Sequence, residues 1–137
     1  MMYAQRAAAQ YRNILTHGLV ADARPTRLVQ IMYEQTLSNL ATAQGCMQRI
    51  ENCLPLNEVM AKGKAMSTAI RLVGHLNATL DMERGGEVAA NLRSLYDYML
   101  NRLTQANVLN DPSLVEEVSG LISKIKASWD RLVQEGL

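Results

Sequence analysis

A chain of 137 residues with 48% hydrophobic and 20% charged side chains has the length and balance of one globular domain with a single core, and is too short for two. Fourteen basic against thirteen acidic side chains leave a net charge of +1, without the concentrated positive field that nucleic acid requires. No apolar run reaches eighteen residues, and MMYAQRAAAQYR has no apolar stretch followed by a cleavage site, so neither a membrane span nor a secretory signal is expected and the cytoplasm is the expected compartment.

In chain order, Tyr3, Ala7, Tyr11 and Ile14 form one stripe of a short, weakly amphipathic helix that breaks at Gly18. Pro25 suits a first helical turn, and from there Val29, Tyr33, Thr36, Leu40, Ala43, Met47 and Ile50 alternate steps of four and three, the seam of a first long helix. Residues 52–57, interrupted by Pro55, read as a loop. Met66, Ala69, Val73, Leu76 and Leu80 resume the stripe on a second long helix, which Gly85 and Gly86 are expected to stop. Val88, Leu92, Leu95, Met99, Leu103 and Ala106 mark a third helix to about Asn107. Asp111 followed by Pro112 is a capping side chain with proline at the first helical position, and Val115, Val118, Ile122, Ile125, Trp129 and Leu132 carry a fourth seam.

The period is helical throughout, so the expected fold is all-α: an antiparallel four-helix bundle over residues 25–135, with residues 1–18 as an additional, mobile N-terminal helix of the same single domain. Eight Met and no Phe suggest a core whose gaps are filled by a pliable thioether side chain rather than by aromatic rings.

Chemistry finds little purchase. In LDMERGGE, Asp81, Glu83 and Gly86 fall where a calcium loop has its first, third and sixth residues, but the twelfth is Leu92 where a bidentate Glu is needed. The stretch reads as a helix corner, with Glu87 in the first turn of the next helix. Cys46 and Cys53 lack the close paired spacing of a zinc or redox motif, and His17 and His75 stand alone. No nucleophile elbow or phosphate loop surrounds any serine. No catalytic residue, cofactor or metal is expected. Beyond the seams, Leu28, Met32, Leu37, Ala89, Tyr96, Leu100, Leu114 and Leu121 widen the apolar stripes past what one interior needs. Each could still belong to the core, because periodicity leaves helix rotation open. Together they favour a surface that takes an amphipathic segment of another chain.

Residues 80–107, LDMERGGEVAANLRSLYDYMLNRLTQAN, resemble the signature of the flagellar secretion chaperone family FliS, LDxExGGExAxNLxxLYDYMxxRLxxAN. Further matches are Lys62-Gly63 with Ser67, Ala69 and Ile70, then Asp111, Glu116-Glu117-Val118, Leu121 and Trp129, and Tyr11 with Pro25 and Leu28. One departure is Met32-Tyr33-Glu34-Gln35, where the family commonly has Leu, an aromatic residue, Asp and Gly.

The resemblance implies a cytoplasmic, non-enzymatic export chaperone. It would bind the disordered C-terminal segment of flagellin, prevent premature polymerisation and keep the client competent for type III flagellar secretion. It also implies that the chaperone's own N-terminal segment occupies part of the site when no client is present. Joined to the surplus stripes, it places flagellin binding on Tyr3, Ala7, Tyr11, Ile14, Leu28, Met32, Tyr33, Ala89, Tyr96 and Leu100. The alternative is a regulatory interaction protein of the export system that binds an anti-sigma factor, a co-chaperone or an export-gate component. Homodimerisation through the same grooves stays open.

Overall fold

The computed structural model describes residues 25–50 and 56–136, and the described chain is four helices with no strand: α1 Pro25–Ile50, α2 Leu56–Ala78, α3 Met82–Leu109 and α4 Pro112–Gln134. The helices close a ring in which α1 packs on α2 and α4, and α3 packs on α2 and α4. The loop expected around Pro55 and the N-terminal helix expected over residues 1–18 lie outside the described residues.

Local chemistry sets the helix starts. Asp81, in extended conformation, accepts a hydrogen bond from the Arg84 backbone N–H at 3.1 Å. Asp111 accepts from both Ser113 N–H at 2.9 Å and Ser113 Oγ at 2.6 Å, and Pro112 follows it in the first turn. These two Ser113 contacts hold the Asp111 carboxyl below its ordinary value, the hydroxyl contributing most. Asn110 ends α3 in the left-handed conformation, and its side chain donates to the Met47 carbonyl at 3.3 Å, tying the turn to α1.

The expected corner moves. α2 stops at Ala78 rather than at the glycines, because Asp81 already caps the next helix, and α3 runs through Gly85. Gly86 sits inside α3 at φ 54°, ψ −132°, kinking it. No atom lies within 4 Å of where a Cβ would stand, so the requirement for glycine is backbone conformation alone. Gly86→Ala is therefore expected to destabilise the fold by about 1–3 kcal/mol despite alanine's better helix propensity. A thermal melt decides it, since a rise in melting temperature would mean that the kink can straighten.

The interior is a continuous cluster from all four helices. Met32, Met47, Met66 and Met99 are fully buried within it, as the composition suggested. Its aromatic part joins three helices: Tyr33 and Tyr96 share a hydroxyl–hydroxyl hydrogen bond of 2.6 Å, and Tyr33 meets Trp129 edge-on at 6.1 Å. The buried Trp129 N–H donates to the Thr26 carbonyl at 2.8 Å. Gln30 of α1 bonds Asp130 of α4, and Lys126 reaches the same carboxylate at 2.9 Å; the two partners hold Asp130 below its ordinary value.

α1 lies between α2 and α4, so its interior arc is broad. Leu28, Val29, Ile31, Met32, Tyr33, Thr36, Leu40, Ala43, Cys46 and Met47 are all buried. The expectation that Leu28 and Met32 widen an outer stripe is thus corrected, because two flanks of this helix face neighbours.

Candidate functional site

The outside of α3 differs most from the sequence reading. Its interior stripe is Ala89, Tyr96, Met99, Leu103 and Ala106, with Leu92 and Leu100 half-buried against the core. This corrects Ala89 and Tyr96 from binding face to interior and turns two of the expected seam residues outward: Val88 is 57% exposed and Leu95 36%. The Tyr96 hydroxyl finds its partner, Tyr33, in the interior, and the rotation that buries Tyr96 turns Leu95, one position away, toward solvent.

Val88 and Leu95 are seven residues apart, which is two helical turns and about 10.5 Å on one stripe. Two further turns reach Arg102. There α3 is tied to α4: Arg102 Nε lies 3.1 Å from Glu117 Oε1 and donates to Tyr98 Oη at 2.9 Å, and Tyr98 Oη donates to Glu117 Oε2 at 2.8 Å. The guanidinium also stands 5.2 Å from the centre of the Tyr98 ring. An exposed apolar stripe therefore ends in a polar clamp between two helices.

A second exposed apolar group lies at one end of the bundle. Leu56, Val59 and Met60 begin α2, Val108 and Leu109 end α3, and the Lys62 ammonium donates to the Asn107 carbonyl at 3.1 Å between them. Beside this end, Arg49 pairs with Glu58 at 2.8 Å, which keeps the Glu58 carboxyl low. Burial, with Glu58 adding to it, pushes the neighbouring Cys46 thiol up, away from the reactive thiolate.

The residues expected to bind a partner divide three ways. Tyr3, Ala7, Tyr11 and Ile14 lie outside the described residues. Leu28, Met32, Tyr33, Ala89 and Tyr96 are buried, and Leu100 is half-buried on the core. Among the described residues, the exposed large apolar side chains are instead Met82, Val88, Leu95 and Tyr98 on α3, with the end group. A signal for this was present: Val88/Ala89 and Leu95/Tyr96 are adjacent apolar pairs about 100° apart on the helix, and on α3 one member of each is buried and the other exposed. As for the acids near the glycines, Asp81 is spent on its cap, while Glu83 and Glu87 are exposed at the start of α3.

A family model described as "Flagellar protein FliS" matches residues 6–136. The chain belongs to the FliS family. It is 43% identical over 129 residues to flagellar secretion chaperone FliSB of Pseudomonas aeruginosa, covering 94% of this chain and 97% of that one. It is 37% identical over 132 residues to flagellar secretion chaperone FliS of Salmonella typhimurium, covering 96% and 93%. It is 31% identical over 115 residues to flagellar secretion chaperone FliS of Bacillus subtilis, covering 84% and 80%. FliS is a family of chaperones and not of enzymes. The FliS block at residues 80–107 is α3 with its cap: Asp81 starts the helix, Gly86 kinks it, and Leu92, Tyr96, Met99, Leu103 and Ala106 pack it on the core.

Proposed function

We propose that this protein is a cytoplasmic export chaperone that holds the C-terminal segment of flagellin as an amphipathic helix, masking its polymerisation surface until the client reaches the secretion apparatus. The observation that carries the reading is the exposed stripe of Val88 and Leu95 on α3, a helix otherwise used to build the core. The client accepts an ordering cost on docking and offsets it by burying its own apolar positions against this stripe. A chaperone that must release its client is best served by moderate affinity. None of the described helices is long and apolar enough to cross a membrane, which agrees with a role beside the export machinery rather than in the bilayer.

The reading includes two features of architecture. The helices alternate in direction as an antiparallel bundle; the short connections at residues 79–81 and 110–111 favour this, as do the pairings of Asn77 with Asp97 and of Lys62 with Asn107. The second is that Tyr3, Ala7, Tyr11 and Ile14, which lie outside the described residues, act on the client-binding surface. Tyr11→Ala is then expected to change client affinity while leaving the melting temperature nearly unaltered; a large fall in melting temperature with unchanged affinity would assign Tyr11 to the core instead.

Calorimetric titration of the full chain with a peptide of the flagellin C-terminal segment tests the function. Saturable one-to-one binding is expected, and absence of heat would overturn it. The alternative, a regulatory partner such as an anti-sigma factor or co-chaperone, is favoured only by the second apolar group at the end of α2 and α3. A capture experiment in which that partner competes with the flagellin peptide distinguishes a shared from a separate surface.

A further inference from the structure

Two stripes leave the Arg102–Glu117 ion pair in parallel. On α3, steps of seven lead from Arg102 back to Leu95 and Val88. On α4, steps of seven lead from Glu117 forward to Lys124 and Arg131. A step of seven residues rotates a helix by only about 20°, so each set stays on one flank. With α3 and α4 running in opposite directions, both stripes extend from the clamp toward the same end of the bundle, the apolar one beside the cationic one. Half-buried Leu92 of α3 and Leu121 of α4 lie against the core on the same two helices.

The charges of the second stripe are not spent. Lys124 and Arg131 are both exposed, and neither takes part in an ion pair among the described residues. The other cation of this part of α4, Lys126, is already used by Asp130 at 2.9 Å. Glu87, the acid that precedes Val88 on α3, pairs with neither of the two, and Glu117 is neutralised by Arg102 at 3.1 Å. The protein as a whole carries only +1, so two unpaired cations in register with an apolar stripe form a local feature and not part of a general positive field.

We propose that Lys124 and Arg131 determine client specificity: the helix that docks over Val88 and Leu95 presents acidic side chains at two positions seven residues apart on the flank facing α4. The inference rests on the client-binding reading above. The spacing matches, because both chains repeat at about 10.5 Å per two turns. The cations select orientation as well as partner, since a helix laid down in the reverse direction would turn its acidic flank toward α3 and Glu87. Near the clamp the stripe is closed by Tyr98 and Arg102, so the client helix is expected to end or turn there.

The test uses two synthetic amphipathic helical peptides with one apolar face in common, one with Glu and the other with Lys at two flank positions seven apart. Each is titrated into the full chain and into Lys124→Glu/Arg131→Glu, with circular dichroism confirming that the variant keeps its helices. The wild-type chain is expected to prefer the Glu peptide by about five- to tenfold at low salt, the variant to reverse the preference, and 0.5 M salt to erase both. Lys124→Gln/Arg131→Gln should abolish the preference without reversing it. Equal affinity for the two peptides, a preference that survives the charge reversal, or no binding of either peptide by the wild-type chain would overturn the proposal. A parallel titration with the flagellin C-terminal peptide separates the two levels. If it binds wild type and the Glu variant equally, the specificity claim alone fails; if it binds neither, the client reading fails with it.

Discussion

Tyr96→Ala is expected to produce the largest loss of stability of any single change on α3, about 3–5 kcal/mol. The side chain is 2% exposed, it belongs to the cluster formed by all four helices, and its hydroxyl is bonded to that of Tyr33 at 2.6 Å. Truncation removes an aromatic ring from the interior and one buried hydrogen bond, and leaves a cavity between α3 and α1. For a chain of this length that corresponds to a fall in melting temperature of about 10–20 °C. Tyr96→Phe isolates the hydrogen bond and should cost only about 1 kcal/mol. Melts followed by circular dichroism would measure both. A Tyr96→Ala protein with wild-type stability and impaired client binding would restore Tyr96 to the outer face and overturn the helix rotation described above.

The neighbouring residue should behave in the opposite way. Leu95→Asp is expected to weaken binding of the flagellin C-terminal peptide by about 30-fold or more, which is about 2 kcal/mol, because it sets a charge in the middle of the apolar stripe that the client covers. Its cost to the fold is small. Leu95 is 36% exposed, and exchange of Leu for Asp in a helix interior loses about 0.5 kcal/mol of intrinsic propensity. Val88→Asp, at 57% exposure and two turns away, should give the same pattern with an even smaller effect on the melt. Equal losses of stability and affinity in these variants would place both residues in the core. Unchanged affinity in both would move the client to another surface, the end group of Leu56, Met60 and Val108 being the next exposed apolar area.

The contrast between Leu95 and Tyr96 also shows where the sequence ceases to decide. Helix number and type were legible because steps of three and four recur without interruption, and the α4 start was legible to the residue because Asp111-Pro112 is both cap and first turn. The α3 face was not. Leu92, Met99, Leu103 and Ala106 are common to two stripes that differ only at 88/89 and 95/96, and a shift of one position carries Val88 and Leu95 from interior to surface. What separates the stripes is a contact across 63 residues of chain, the Tyr33–Tyr96 hydrogen bond, to which no local pattern refers. The corner was misplaced for a related reason. Two glycines mark a break in any periodic reading, yet Asp81 accepts the backbone hydrogen bond that starts α3 before them, so they kink a helix instead of ending one. The width of α1's interior arc likewise follows from its place between α2 and α4, a tertiary fact.

The most direct test of the account follows the methyl resonances of Val88 and Leu95 by NMR as the flagellin C-terminal peptide is added to the full chain. Both are expected to shift saturably with peptide, in step with the heat of binding, while the interior methyls of Met99 and Leu103 move little. Val88 and Leu95 resonances that stay in place while the peptide binds would show that the exposed flank of α3 is not where the client lies.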